Sequence, residues 1–371
     1  MIYLDYAATT PLDKEILTSY IKAQNNFFAN TNSLHKLGQE SKYMYDKCLA
    51  EVKKVLGLKK KEVVFLTSAS EANNIAVQGI IKNKEYSKII TTKIEHPSVY
   101  NVFKNYEKIH EVVYLDVDRN GEISLADLEK ELNEKVILVS IMWVNNITGA
   151  IQNIKEIIRL VKKYPKAKLH VDMVQGFSKI KADFDFNEID LFTFSMHKIY
   201  GLKAAAFLVY NLDIALEKIM YSANNNIKVG TLDLASLIAS VKTIKKYFPL
   251  QEKCFNQVKV LNLYLREELE KNKKILINSS LKASPFIINF SVDKIKSETI
   301  IHSLETDEIY ISSSSACSSK LSTLEKTIMA SFNDEERTAS SVRVSLSHLT
   351  KKEDIEKLIK AIYKLTGEEY V

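Results

Sequence analysis

From Glu62 to Tyr210, short apolar runs alternate with segments of helical periodicity, and this pattern constrains the fold more than any other feature. Strand-like runs occupy Glu62 to Leu66, Lys88 to Thr92, Val112 to Leu115, Val136 to Val144 and Leu169 to Asp172. Between them, helical stretches are predicted over Glu71 to Ile81, from Pro97, over Leu125 to Leu132 and over Ile154 to Lys163. Ile189 to Thr193 and Ala206 to Tyr210 add further strands. Such alternation predicts an α/β fold with a mostly parallel sheet covered by helices.

The flanks read differently. Ile2 to Leu4 is a short apolar strand, and Asp13 is placed to cap a helix towards Gln24. His35 to Leu56 has helical periodicity with Leu37, Met44, Cys48, Leu49, Val52 and Val55 on one face, and Gly57 is a stop signal. From Leu232 to about Lys271 the pattern is helical, interrupted at Pro249. Strands follow at Phe286 to Phe290, Ile309 to Ile311 and Val342 to Leu346, with helices at Ser297 to Leu304, Leu324 to Ala330 and Lys352 to Leu365. We therefore expect a large domain over residues 14–250 and a smaller one built from residues 1–13 and 251–371.

Composition narrows the class. The chain of 371 residues is long enough for two domains, and 46% hydrophobic with 26% charged residues describes a soluble globular protein. Its net charge of +6 comes from lysines scattered among acids, so no nucleic-acid arm is indicated. No segment approaches the run of about 18 apolar residues that spans a bilayer. The N-terminus lacks the basic and apolar regions of a signal peptide, and Cys48, Cys254 and Cys317 form neither a CxxC pair nor a metal-ligand spacing. A sparse, odd set of cysteines suits a reducing cytoplasm.

Two strand ends carry the chemistry. The run Ile189 to Thr193 continues into Phe194-Ser195-Met196-His197-Lys198, a buried strand that delivers a lysine to its carboxyl edge. Leu169-His170-Val171-Asp172 ends in an acid, with Gln175 a turn later. A lysine able to form a Schiff base, paired with an acid for a pyridinium nitrogen, is what pyridoxal 5'-phosphate requires. Thr67 to Asn74 lies between a strand and a helix; its hydroxyls and amides suit a phosphate, or Ser70 is simply an N-cap. His96, in Glu95-His96-Pro97, could stack on a ring, shuttle protons or be structural. Asn145-Asn146 could serve substrate polar groups or form a turn. Cys317 lies among serines, a setting more like an exposed nucleophile than a core cysteine. Arg343, on a predicted strand, is of the kind that clamps carboxylates.

In this order the motifs resemble the cysteine desulfurases of the NifS/IscS-like group, class V aminotransferase-like enzymes of fold-type I. The shared stretches include Tyr3 to Pro11, Asn32 to His35, Ser70 to Asn74, Glu95 to Pro97, His170 to Asp172 with Gln175, Ser195 to Lys198, Gly230-Thr231, Cys317 and Arg343 to Leu346. The resemblance implies a large domain with a mostly parallel seven-stranded sheet between helices and a smaller α+β C-terminal domain. It implies Lys198 as the Schiff-base residue, Asp172 at the pyridinium nitrogen, Gln175 at the ring hydroxyl and His96 on the ring. Ala69, Ser70, Ser195 and His197 would cradle the phosphate, with Thr231 reaching in from the second subunit of a homodimer. Asn146 and Arg343 would hold the substrate, and Cys317 would take its sulfur as a persulfide. L-cysteine is then the substrate and alanine the product. The acceptor would be a protein, either an iron–sulfur scaffold or a tRNA-thiolation enzyme. A related lyase or aminotransferase, or a sulfur-trafficking scaffold of weak activity, are the alternatives.

Several glycines usual in that group are replaced here: Ser68 in the phosphate loop, Met196 before His197, and Ser222 and Ala223 ahead of the inter-subunit loop. Lys228 stands at a usual arginine, Ile147 at a usual glutamate and Ser347-His348 at a usual glycine-led turn. Larger residues restrict φ and crowd a phosphate, so a divergent paralogue with weaker cofactor binding or a specialised acceptor is expected.

Overall fold

The computed structural model describes residues 1–221, 227–228, 230–314 and 325–369. β1 (Ile2–Tyr3) precedes α1 (Lys14–Asn26), whose cap Asp13 accepts from the amides of Glu15 at 2.8 Å and Ile16 at 3.2 Å. α2 (Lys36–Val55) is followed by Gly57, whose φ of +63° suits a residue without Cβ. Cys48 on α2 is buried in the core, as its place on the apolar face predicts. The alternating part then runs β2 (Lys61–Leu66), α3 (Ala69–Ile81), β3 (Lys88–Thr92), α4 (Pro97–Asn105), β4 (Glu111–Leu115), α5 (Leu125–Glu131) and β5 (Val136–Met142). It continues through α6 (Ile154–Val161), β6 (Lys168–Asp172), β7 (Leu191–Ser195) and β8 (Ala206–Asn211).

These strands form one seven-stranded sheet in the order β2-β8-β7-β6-β5-β3-β4. β8 is antiparallel to both neighbours, while the other paired strands are parallel. Alternation along β6 and β7 divides their residues between two cores. Val171, Phe192 and Phe194 join the cluster that includes α6 and α7 residues, whereas Leu191 joins the cluster with Ile75 and Val77 of α3. Asp172 and Thr193, opposite one another in register, therefore share the α3 side of the sheet.

α7 (Leu234–Tyr247) and α8 (Gln251–Glu270) meet at a single 3-10 turn containing Pro249. Beyond them lie β9 (Ile275–Ile277), β10 (Ile287–Val292), α9 (Ser297–Thr306), β11 (Ile309–Tyr310) and β12 (Ser312–Ser313). α10 (Lys326–Phe332), α11 (Glu335–Ala339), β13 (Ser341–Ser345) and α12 (Lys352–Thr366) complete the described elements. An antiparallel sheet, β12-β13-β10-β9, packs its apolar residues with α8, α9 and α12 into a third core. Ile2 and Leu4 belong to this core, because β1 pairs with β11 in parallel and Ser345 donates to the Leu4 carbonyl at 2.7 Å. No helix among the described residues is long and apolar enough to cross a membrane.

Candidate active site

β6 and β7 are adjacent and parallel, so their carboxyl ends open on the same edge. β7 passes into a 3-10 turn, Met196–Lys198, which presents Lys198 there. Its Nζ donates to the carbonyls of Ala7 and Ala8, each at 2.7 Å. Gln175 Nε2 donates to the same Ala7 carbonyl at 2.9 Å, so Lys198 and Gln175 converge on one oxygen. The N-terminal segment is tied across this edge, since the Thr10 amide donates to the His197 carbonyl at 2.9 Å. His197 Nδ1 lies 3.3 Å from Thr9 Oγ1.

Asp172 is buried and held at both oxygens. Oδ1 accepts from the Val174 amide at 2.9 Å, and Oδ2 accepts from Asn73 Nδ2 at 2.8 Å. The Asn73 carbonyl in turn accepts from the Thr193 hydroxyl. The second Asn73 amide proton goes to Ser98 Oγ at 2.9 Å, and Ser98 Oγ lies 2.7 Å from His96 Nδ1. His96 is thus joined to Asp172 through two side chains. Asn73 sits in the recognised Ser70 to Asn74 stretch, yet no sequence signal separates its role from that of Asn74.

At the start of α3 the cap is Ser68, not Ser70: Ser68 Oγ accepts from the Glu71 amide at 3.1 Å. Glu71 Oε2 reaches back to the Thr67 amide at 2.8 Å, so the residue replacing the usual glycine takes part in helix initiation. Ala69 is half-buried and Ser70 exposed beside it. Ser195 is buried, and its Oγ has no hydrogen-bond partner among the described residues. Lys228 Nζ stands 3.9 Å from Glu71 Oε1, and Thr231 is exposed.

Arg343 extends from β13 towards the same edge. It donates from Nη1 to the Asn146 carbonyl at 2.9 Å and from Nη2 to Asp5 Oδ1 at 2.8 Å. Its Nε is buried without a partner among the described residues. Asn146 meets Arg343 through its backbone. Asn145 forms a turn, its Oδ1 accepting from the amides of Ile147 at 2.8 Å and Thr148 at 2.9 Å. Cys317 lies outside the described residues.

A further cation, Lys179, was not singled out by sequence. It is buried and donates to Gln175 Oε1 at 2.8 Å. Burial first, then the charges of Lys198 and Arg343, push its ammonium down to about 7. Burial and the neighbouring Lys198, Lys179 and Lys203 bring His197 down to about 4. Burial also lowers His96, with Lys198 acting the same way and Asp172 opposing it. Lys198 and Arg343 both act against the charge on Lys179, and cations gathered in this way make a site suited to an anionic ligand.

A seven-stranded sheet with a lysine and an acid on neighbouring strand ends defines an enzyme of the aminotransferase type. Residues 2–358 match the model of the class-V aminotransferases, and the chain belongs to that family. It is 33% identical over 378 residues to the cysteine desulfurase IscS of Buchnera aphidicola subsp. Schizaphis graminum, covering 98% of this chain and 92% of that one. To a NifS/IcsS protein homolog of Lactobacillus delbrueckii subsp. bulgaricus it is 32% identical over 369 residues, covering 97% and 96%. Among solved structures, a NifS-like protein superimposes with a TM-score of 0.91 at 26% identity, covering 99% of both chains. SspA in complex with cysteine gives 0.80 at 25% identity, covering 93% of this chain and 99% of that one.

Proposed function

We propose that this protein is a pyridoxal-phosphate-dependent cysteine desulfurase, converting L-cysteine to L-alanine and passing the sulfur onward from Cys317. The observation that carries the reading is the placement of Asp172 and Lys198 at the carboxyl ends of adjacent parallel strands, with Gln175 beside the lysine. The desulfurase relatives over nearly the whole chain support the same reading.

Two features fit the cofactor. Ser195 Oγ is a buried hydroxyl without a partner among the described residues, and α3, whose N-terminal residues are Ala69 and Ser70, opens with the free amides that suit a phosphate. Asp172 has its carboxylate fixed by Asn73 and Val174, as a partner for a protonated ring nitrogen must. Pyridoxal phosphate, when bound, supplies the electron sink that allows an amino acid to lose its Cα proton. Ser195, His197, Ala69 and Ser70 would hold its phosphate, Gln175 its ring hydroxyl and His96 its face.

The chain's own residues then divide the work. Lys198 would hold the cofactor at its carbonyl carbon, and its freed amine would accept the Cα proton of the substrate. Arg343, already committed at Nη1 and Nη2, retains Nε for the substrate carboxylate, and Asn146 braces the guanidinium. The Cys317 thiolate would attack the substrate sulfur: the Cβ–S bond breaks, an S–S bond forms, Cβ gains a proton and Cα regains the one held by Lys198, giving alanine and a Cys317 persulfide. An acceptor protein receives that sulfur, and in a homodimer Thr231 of each chain would complete the neighbouring phosphate site.

The test is incubation of purified, cofactor-loaded protein with L-cysteine and a thiol reductant. Sulfide and alanine in equal amounts, with both lost in Cys317→Ser, are expected. Sulfide independent of Cys317 would instead indicate a lyase, and the absence of both products would overturn the reading.

A further inference from the structure

His96 is the N-cap of α4, and its ring is bonded in a way that fixes where its proton sits. The Ser98 amide donates to Nδ1 at 3.1 Å, and a backbone N–H can only donate. Ser98 Oγ lies 2.7 Å from the same nitrogen and is itself the acceptor of an Asn73 Nδ2 proton at 2.9 Å. With that side of the hydroxyl taken, its own proton points to Nδ1. Asn73 is equally determined: its carbonyl meets the Thr193 hydroxyl, and its amino group faces the Asp172 carboxylate at 2.8 Å. A flipped amide would set oxygen against carboxylate. Each donor in the chain from Thr193 to His96 therefore has one direction.

We propose that Asn73 and Ser98 are positioning residues that hold His96 as the neutral Nε2–H tautomer and tie its ring to Asp172. His96 is then a flat, uncharged ring that rests with its proton on Nε2. Its Nε2 is already protonated, and its Nδ1 is covered by two donors. This rests on the cofactor reading above only for the identity of what stacks on His96; the tautomer is a property of the chain itself. The charged groups that act on His96 are Asp172 from β6, which favours protonation, and Lys198 from beyond β7, which disfavours it. Burial sides with Lys198.

The experiment is nitrogen NMR of protein labelled at histidine ring nitrogens, with His96 assigned by loss of its signals in His96→Gln, recorded with and without pyridoxal phosphate. An unprotonated Nδ1 and a protonated Nε2 throughout pH 6 to 8 are expected in both samples. An Nδ1–H tautomer or an imidazolium at pH 7 would overturn the proposal. Ser98→Ala removes one donor from Nδ1 and should raise the pH at which His96 protonates by about one unit, the equivalent of one hydrogen bond. Ser98→Thr, which keeps the hydroxyl, should restore it; equal titration in all three proteins would also count against the proposal. Asn73→Ala should move His96 in the same direction as Ser98→Ala, and the serine variants decide the matter if it does not fold. Failure to bind pyridoxal phosphate would sink the cofactor reading while leaving the tautomer measurable.

Discussion

Lys179 donates to Gln175 Oε1 at 2.8 Å, and this single bond orients the Gln175 amide so that Nε2 faces Ala7 and the site edge. The lysine is buried, and its ammonium is depressed to about 7 by burial and by Lys198 and Arg343. Between about pH 7 and the ordinary lysine range near 10.5, the unfolded chain binds the proton that the folded one has lost. Folding stability should therefore rise with pH across that window. In Lys179→Met this rise should be smaller, because only the Lys179 contribution is lost, as urea denaturation at pH 7 and pH 9 would reveal. Parallel pH trends in the two proteins would mean that Lys179 is not depressed.

Ser68 replaces a glycine usual in the family and serves as the cap of α3 through its bond to the Glu71 amide. Ser68→Ala should cost about 1 kcal/mol of stability and Ser68→Gly only a few tenths. Denaturant midpoints of the three proteins check this. A loss with glycine as large as with alanine would place the effect elsewhere.

Met196 and Gly201 form a matched pair at the turn that carries Lys198. A Cβ at Gly201 would lie 2.7 Å from Met196 Cβ and 3.0 Å from Thr243 Oγ1. Gly201→Ala should therefore destabilise by about 1–3 kcal/mol through overpacking. Adding Met196→Gly should recover part of that loss, and additive losses in the double-mutant cycle would contradict the pairing.

Arg343→Lys should raise KM for cysteine by about 10- to 100-fold, since a lysine cannot reproduce a fork that already serves Asn146 and Asp5. The visible absorbance of the bound cofactor should stay as it is. A fall in kcat with unchanged KM would assign Arg343 a different part.

Much of this was legible because strand period and strand-end chemistry are local properties. The apolar run into Ser195 to Lys198 and the run into Asp172 became β7 and β6 with both charges at the carboxyl edge. β12 could not be read, since Ser312 and Ser313 have no apolar alternation and become a strand only by pairing with Arg343 and Val342. β9, three residues long, likewise depends on its partner β10. Lys179, Asn73 and Ser98 escaped for another reason. Their roles come from bonds to residues distant in sequence, such as Asn73 to Asp172 and Thr193, and no spacing encodes those. Ser70 was a reasonable cap on sequence alone, but α3 begins two residues earlier than its periodicity implies and Ser68 takes the cap.

The central claim is that Lys198 is the lysine that holds pyridoxal phosphate, and borohydride reduction of the loaded protein followed by peptide mass mapping tests it most directly. The expected result is a pyridoxyl group on the peptide carrying Lys198, absent from Lys198→Ala and from the peptide carrying Lys179. Stoichiometric labelling of Lys179, or none on either peptide, would contradict the account.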